Sequence, residues 1–406
     1  MDLGKRDREK NPVEAGTAGP SILWLGAGIL LAGVGTVLLG PLLPFVQVRW
    51  HLQDSQAGLL LFFKFIGAFL GGISVPRRLR RGILQGTLLA CIGFSLFGMS
   101  TGLVTGAITL FISGIGLGQL IASTNILAGR RYTAHTGSAL ASLNFFWSLG
   151  AVGGGLIVAA FLPTLGLRGL LLSIGASLLV VSLGGYLQPR RESAHTLPLG
   201  EPNRLLARET ILRFGVLLFL YGGLETCLTG WLTTFTMRYT TGPRLLAGQS
   251  GTVLLWIALT AGRAISSFIL RFVRESVVQR TGLLLSFVFI SALATTRNGA
   301  FFSLWCLALG VSLAPFFPAT YGIFLRMSPT PRQAGAVLAV SGLGAAAFPY
   351  LMGVISTHTG SLRLAMVVPM VLALLLFLVS VPRMEEKAAA SPSVPARGEY
   401  SEKVSA

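Results

Sequence analysis

One acidic residue of this sequence stands inside a long apolar stretch. Glu225 lies in FLYGGLETCLTGW, Phe219 to Trp231, and of the 14 acidic residues it is the only one placed well inside such a stretch. If the stretch crosses a membrane, a charge near its centre costs at least about 2.5–3.5 kcal/mol, so it normally faces a cavity or a partner. A carboxylate there can pair with a cation, hydrogen-bond a polar solute or exchange a proton.

The polar residues around Glu225 have helical spacing. Tyr221, Glu225, Thr229 and Thr233 recur every four residues and therefore share one face of a helix. A polar stripe on an otherwise apolar helix is expected to point away from lipid. We interpret it as a functional face that binds solute or couples protons, and the alternative is a purely structural pairing.

Two cations inside apolar stretches are candidate partners of Glu225. Lys64 lies about nine residues from the predicted outer end of its span, and Glu225 lies about eleven residues from the outer end of its own. At about 1.5 Å per residue, their depths in the membrane agree to about 3 Å. Measured from the inner ends, Arg263 and Glu225 differ in depth by about 9 Å. Depth therefore favours a Lys64–Glu225 pair, with Arg263 as a packing or gate residue. A permanent pair would keep Glu225 ionised, so proton exchange requires the pair to break.

The composition is that of a membrane protein. Of the 406 residues, 52% are hydrophobic and only 11% are charged, against about 25% charged in soluble proteins. Apolar runs of about 20 residues match the length of a helix that crosses a bilayer. We predict an all-α polytopic protein with twelve transmembrane helices, at about 22–46, 55–75, 82–104, 106–128, 138–161, 168–188, 211–236, 249–271, 281–297, 300–324, 333–356 and 361–382.

The basic residues follow this topology. Assigning the loops to alternating sides puts 24 of the 32 Lys and Arg residues on the side of the N-terminus and 6 on the other, and leaves Lys64 and Arg263 inside spans. This bias predicts that both termini are cytoplasmic, in a plasma (inner) membrane. Because the net charge of +18 lies in loops, we expect the lipid bilayer and no nucleic acid as partner.

A linker divides the chain into two sets of six spans. We predict a cytoplasmic tail at 1–20, a first half at 21–188, a linker at 189–210, a second half at 211–383 and a disordered tail at 384–406. A weak repeat relates the halves, since Gly40 aligns with Gly230 at an offset of 190 and Gly67 with Gly262 at an offset of 195. Two six-span halves with a site between them are a known transporter layout.

The layout and several motifs resemble the major facilitator superfamily over about residues 20–383. The loop GGISVPRRLRRG, Gly71 to Gly82, is similar to its Gly-x-x-x-Asp-Arg-x-Gly-Arg-Arg signature, although the acidic residue is absent. FLYGGLETCLTGW, LNFFWSLGAVGGG and WIALTAGRAISS resemble the fucose–galactose–glucose:proton symporter branch, in which Asn144 would align with a frequent histidine. The resemblance implies alternating access, and it assigns cytoplasmic-loop gating to Arg77, Arg78, Arg80, Arg81, Arg130 and Arg131.

Further polar and aromatic residues inside spans are candidates to line a solute site. Amides and aromatic faces suit a sugar or another small polar ligand, although the same residue types also hold helices together. These candidates are Gln119, Asn125, Asn144, Trp147, Trp256 and Tyr321. Two proline pairs, Pro41/Pro44 and Pro315/Pro318, predict kinks in spans one and ten.

Three functions remain open on the sequence. The first is a secondary transporter of a small solute, such as a sugar, coupled to protons and acting as a monomer. The second is a proton-driven efflux carrier of lipophilic compounds, and the third is a non-transporting sensor or scaffold. The sequence predicts no enzyme, metal site or cofactor, because the four histidines lie in loops or at span ends and no catalytic motif is present.

Overall fold

The protein is helical in a computed structural model that describes residues 22–131, 136–187, 206–243, 250–269, 272–327 and 329–380. The helices of this part are α1 Ile22–Val37, α2 Leu39–Trp50, α3 Asp54–Ile73, α4 Leu79–Met99, α5 Leu103–Arg131, α6 Thr136–Tyr186, α7 Arg208–Tyr239, α8 Ser250–Ile269, α9 Glu275–Thr295, α10 Gly299–Leu313, α11 Phe316–Arg326, α12 Pro331–Thr359, α13 Leu362–Ala365 and α14 Val367–Val379. The predicted tails, at 1–20 and 384–406, and most of the predicted linker lie outside the described residues.

These helices make the protein an integral membrane protein. In the described part, nine helices are long and apolar enough to cross a bilayer, and the bent pair α1–α2 makes a tenth candidate. Helix α6 contains two apolar runs, because Gly166 adopts a φ of 65° and breaks the helix between them. Helix α8 has a shorter apolar segment, Gly251–Ser266. The helices are compatible with twelve spans, and that number stays a prediction.

Two of the spans are broken where the prolines predict. Helices α1 and α2 meet at an angle of 41°, next to Pro41 and Pro44. Helices α10 and α11 are separated at Ala314 and Pro315. Proline has no N–H to donate and its ring clashes with the preceding turn, so each break has a local cause. The predicted kink in span one is confirmed, and the helix of span ten is interrupted at the predicted prolines, where a kink stays a prediction.

The helices pack in two sets that meet along a central interface. Among the N-terminal helices, α3 and α4 pack on α5, and α1 and α4 pack on α6. Among the C-terminal helices, α8 and α9 pack on α10, and α14 packs on α7 and α9. Between the sets, α12 packs on α3, α2 on α7, and α6 on α8. The boundaries of the two halves stay a prediction.

Glycines aligned by the sequence repeat occupy close helix contacts. A Cβ on Gly40 of α2 would collide with the carbonyl of Thr229 and lie 3.3 Å from the Cα of Gly230, its counterpart on α7. Gly67 brings α3 against α5, and Gly262 brings α8 against α10 in the same way. At each aligned position, the missing side chain therefore lets two helices approach closely. The Gly40–Gly230 contact brings α2 against α7 near Glu225.

Candidate functional site

Glu225 forms an ion pair with Arg263 in the middle of the helix bundle. The Nη2 of Arg263, on α8, donates to Oε1 of Glu225, on α7, at 3.2 Å. The hydroxyl of Tyr221, one turn earlier on α7, donates to the same oxygen at 3.4 Å. The two ionic side chains are 21% and 17% exposed, so the pair is reached by solvent only in part. Both neighbours of the carboxylate favour its charged form.

The same arginine connects the two sets of helices. Its Nη1 donates to the hydroxyl of Ser148 on α6 at 2.9 Å. Next to this bond, the rings of Trp147 on α6 and Trp256 on α8 meet edge to face, with centroids 5.3 Å apart. A charged and hydrogen-bonded group therefore sits where the N-terminal and C-terminal helices meet.

One face of α8 carries polar atoms that have no partner within the described residues. These are the indole Nε1 of Trp256, the hydroxyl of Thr260 and the guanidinium Nε of Arg263, and all three are buried. Their spacing of four and three residues puts them on one face of the helix. Buried polar groups are nearly always hydrogen-bonded, so three on one face indicate a place that a polar ligand completes.

The predicted Lys64–Glu225 pair is wrong for this structure. Lys64 is 1% exposed, and its Nζ donates to the backbone carbonyl of Thr36 on α1 at 2.5 Å. The ring centroid of Phe65 lies 5.3 Å from the same nitrogen. Lys64 therefore turns toward the N-terminal helices, and the partner of Glu225 is Arg263.

The depth comparison failed because it relied on span ends estimated from the sequence. In the structure α7 packs on α8, and this packing brings Arg263 level with Glu225.

The other residues predicted on α7 and α6 are placed differently. Thr233 is buried and its hydroxyl lies 2.9 Å from that of Thr252 on α8. Thr229 is buried, and its carbonyl accepts from the hydroxyl of Thr252 at 3.4 Å. Asn144 is exposed, one turn from Ser148 on α6. Of the predicted polar stripe, only Tyr221 joins Glu225 in the ion-pair cluster.

Three further predicted residues lie outside the Glu225–Arg263 cluster. Gln119 on α5 donates from Nε2 to the carbonyl of Ser74, which follows the inner end of α3. Asn125 lies six residues further along α5 and is half-buried. Tyr321 on α11 stacks on Phe317, whose ring is 6.0 Å from that of Tyr221, so it reaches the site only through intervening rings.

The predicted cytoplasmic-loop arginines have one clear structural role. The Nη2 of Arg80 donates to the carbonyl of Gly185 at 2.6 Å, near the end of α6. A cation at the last carbonyls of a helix satisfies them and complements the helix dipole. Arg77, Arg78 and Arg81 are exposed. The side chains of Arg130 and Arg131 lie outside the described part, so the gating role of this loop stays a prediction.

A second polar cluster joins helices at the end of the bundle that the sequence predicts to be the outer one. Asp54, the first residue of α3, accepts from Nη1 and Nη2 of Arg238 near the end of α7, both at 2.7 Å. Gln47 of α2 donates to Asp54 at 2.6 Å, and Ser356 of α12 donates to it at 2.5 Å. This outer cluster, defined as Gln47, Asp54, Arg238 and Ser356, joins two N-terminal helices to two C-terminal ones.

The sequence analysis missed Ser148, Asp54 and Arg238 as site residues. Ser148 carries a weak signal, since it is a polar residue four positions after Asn144 on an apolar helix. Asp54 and Arg238 lie at span ends, where charged residues are ordinary, so nothing in their local sequence distinguishes them. Their importance comes from contacts across 184 residues of chain.

Two cavities lie near the interface. A small one lies between α1, α2, α3 and α7 and includes Thr36, Phe65, Thr226 and Thr229 in its lining. An apolar groove of about 630 Å³ lies toward the outer side. Its lining residues are Pro44, Phe45, Val48, Arg49, Leu162, Pro163, Leu167 and Met237. Met237 is twelve residues along α7 from Glu225, so the groove is separate from the ion pair.

Comparison with known proteins gives a family-level match. The family model described as Major Facilitator Superfamily matches residues 25–333, about three quarters of the chain. An uncharacterized MFS-type transporter of Yersinia pestis is 26% identical over 238 residues, which are 57% of this chain and 62% of that protein. The match therefore spans less than two thirds of that relative's length.

Solved structures share the fold. A bacterial homologue of the human lysosomal transporter Spinster, in an inward-facing and unoccupied conformation, has a TM-score of 0.71 at 17% identity and covers 92% of this chain and 98% of that chain. FucP, the fucose:proton symporter of Escherichia coli, in its outward conformation, has a TM-score of 0.59 at 19% identity and covers 88% and 97%. At these identities the likeness shows the architecture alone.

Proposed function

The chain belongs to the major facilitator superfamily, and from this premise we propose that it is a secondary active transporter of a small polar solute. The solute binds between the two sets of helices and crosses by alternating access. A sugar is the first class to test, because FucP is a fucose:proton symporter and the motifs around Glu225 resemble that branch. Aromatic side chains such as Trp147 and Trp256, which lie beside the ion pair, are of a type that suits a sugar ring.

The observation that carries the proposal is the Glu225–Arg263–Ser148 group. It places an ion pair in mid-bundle, and the arginine spans the interface that must open and close during alternating access. The unpartnered atoms on α8 beside it give a solute something to bind. Buried polar atoms are nearly always hydrogen-bonded, so these three, grouped on one face, are candidates to bind a solute.

The outer cluster supports alternating access. Its four residues tie α2 and α3 to α7 and α12 at one end of the molecule, and this supports a state closed at the end that we take to be the outer one. Opening to that side requires the charge-assisted bonds of Asp54 to break together. We propose that the cluster is the outer gate, with the solute released to the cytoplasm from the closed-outside state.

Glu225 is the proposed coupling residue. While Arg263 and Tyr221 contact it, both donors favour the charged carboxylate. When the contact with Arg263 is lost in a site shielded from water, a charged carboxylate is disfavoured and a proton is taken up. Proton movement is thereby linked to breaking of the pair. We propose further that the protein acts as a monomer in the plasma membrane, with both termini cytoplasmic.

A screen of labelled solutes and of drug sensitivity, in cells that express the protein, tests the proposal. Cells with the wild-type protein are expected to accumulate one class of polar solute, and cells with Glu225→Gln are expected to lose this accumulation. Glu209→Gln is the matched control, because it removes the same charge from an exposed position on the same helix. Accumulation that is equal in all three would overturn the role of Glu225.

One observation favours a second function, the export of a lipophilic compound. The groove of about 630 Å³ is lined almost wholly by apolar side chains, from the last turns of α2 and α7 and from the break of α6 near Gly166. An exporter would give resistance to lipophilic compounds in the same screen, without uptake of polar solutes. A protein that neither imports nor exports any member of the panel would instead fit a sensor of the same fold.

A further inference from the structure

The unpartnered face of α8 defines the solute more narrowly, and we propose that the transported solute is an organic anion whose carboxylate binds Trp256, Thr260 and Arg263. This inference rests on the proposed transport function and adds the chemical class of the substrate. It also gives Arg263 two competing partners, the carboxylate of the solute and that of Glu225.

The hydrogen-bonding inventory of this face consists mainly of donors. The indole Nε1 of Trp256 and the Nε of Arg263 can only donate, and the hydroxyl of Thr260 can do either. The guanidinium carbon of Arg263 lies 6.0 Å from the ring centroid of Trp256, which keeps the two donors in one neighbourhood. The matching ligand group accepts several hydrogen bonds at once.

A carboxylate meets this requirement better than a sugar hydroxyl. A carboxylate offers about four lone-pair sites on two oxygens and donates nothing, whereas a hydroxyl must also place its own proton. Hydrogen bonds from a guanidinium to a carboxylate are also about twice as strong as those between neutral groups. The arrangement therefore selects for an anionic group over a neutral one of the same size.

Binding of such a group accounts for coupling. The guanidinium has Nη1 on Ser148 and Nη2 on Glu225, and a carboxylate at its Nε draws it from Glu225. Glu225 then loses its cation and takes one proton from the solvent on the side where the solute entered. On the other side the solute leaves, the proton is released to solvent, and Arg263 pairs with Glu225 again. One monoanion and one proton cross together, so no net charge moves.

Matched solutes test the charge requirement. The full chain is reconstituted in liposomes that contain a pH-sensitive dye, and D-galacturonate, D-gluconate and shikimate are compared with D-galactose, D-glucitol and methyl shikimate. The expected result is acidification of the lumen by at least one acid and by none of the neutral partners, and the rate is not changed by an imposed membrane potential. Acidification by a neutral solute alone would overturn the inference and leave the proposed function standing. If no solute of either class acidifies the lumen, both are overturned.

Variants of Trp256 test the site itself with the acid that is transported. Trp256→Phe keeps an aromatic ring and removes the Nε1 donor, so the KM for the acid is expected to rise about tenfold. Trp50→Phe is the matched control, because the indole nitrogen of Trp50 is also buried without a partner but lies at the outer end of α2. An equal change in both variants, or none in Trp256→Phe, would contradict the assignment.

Discussion

At the scale of single residues, the properties of Arg263 organise the site. Its guanidinium presents separate donors to Ser148 and Glu225, and a third donor, Nε, has no partner in the part of the chain that the structure describes. A lysine could not donate to three separate partners with fixed geometry, because its ammonium is a single point of charge on a flexible side chain. The planar fork is therefore what allows one side chain to bridge the interface and still bind a ligand.

Lys64 and Arg263 are expected to respond differently to loss of charge. Lys64→Met removes a buried ammonium that donates to the carbonyl of Thr36, and replaces it with an apolar chain of similar length. Removal of a buried charge in this way is often neutral or stabilising. The melting temperature in detergent is expected to stay level or rise.

The melting temperature of Arg263→Met is to be compared with that of Lys64→Met. Arg263→Met leaves Glu225 without its cation and Ser148 without its donor, so the melting temperature is expected to fall by roughly 5 °C or more. If Lys64→Met lowers stability as much as Arg263→Met does, Lys64 is an ionic partner in the folded protein and the assignment of Arg263 is wrong.

Sequence reasoning located the carboxylate and missed its partner for a physical reason. A charge inside an apolar stretch is costly, so Glu225 is conspicuous in the sequence itself. The choice between Lys64 and Arg263 depends on how far α7 and α8 are shifted along each other and how each is rotated, and the packing of the helices sets both. Ser148 is ordinary in its local sequence and acquires its role only from packing of α6 on α8.

At the scale of elements, close backbone contacts set the position of the helices around the site. Helix α2 lies against α7 at Gly40, and α6 lies against α1 at Gly150, where a Cβ would collide with the backbone of the facing helix. Small residues at such positions let membrane helices approach closely. The position of Glu225 therefore depends on residues that make no contact with it.

A pair of glycine substitutions tests this dependence. Gly40→Ala places a Cβ against the carbonyl of Thr229 and is expected to lower the melting temperature, because overpacking costs about 1–3 kcal/mol. Gly153→Ala on α6 meets no atom within 4 Å and gains helix propensity, so it is expected to be neutral or stabilising. Equal melting temperatures for the two variants would show that the α2–α7 contact does not constrain the bundle.

The elements themselves were largely predictable from the sequence. Apolar runs and the bias of basic residues toward one side reflect the bilayer, which acts on each span separately. Prolines mark the breaks in spans one and ten because their backbone effect is local. The register of one helix against another depends on residues far apart in the chain, and it required the structure.

At the scale of the whole molecule, the outer cluster holds the two sets of helices together on one side. Asp54 is 9% exposed and Arg238 is 39% exposed, so the bidentate pair is partly shielded from water. Two further side chains, Gln47 and Ser356, donate to the same carboxylate. Loss of this carboxylate removes the shared acceptor and weakens all of these bonds.

Asp54→Asn is therefore expected to shift the protein toward an outward-open state. Loss of about 1–2 kcal/mol changes a two-state ratio by roughly 5–30-fold. Spin labels at Val48 and Leu364, both exposed at the outer ends of α2 and α13, report the change as a longer distance in pulsed electron paramagnetic resonance. Glu209→Gln, on the inner side, is expected to leave this distance unchanged. An unchanged distance in Asp54→Asn would mean that the outer cluster does not close the molecule.

The central claim is that Glu225 links proton movement to solute movement at the interface of the two sets of helices. It is tested most directly by measuring substrate counterflow and pH-driven accumulation in proteoliposomes that contain the wild type or Glu225→Gln. The account predicts that the variant still exchanges solute and that a pH gradient no longer drives accumulation above passive equilibration. Accumulation by Glu225→Gln equal to that of the wild type would contradict the claim.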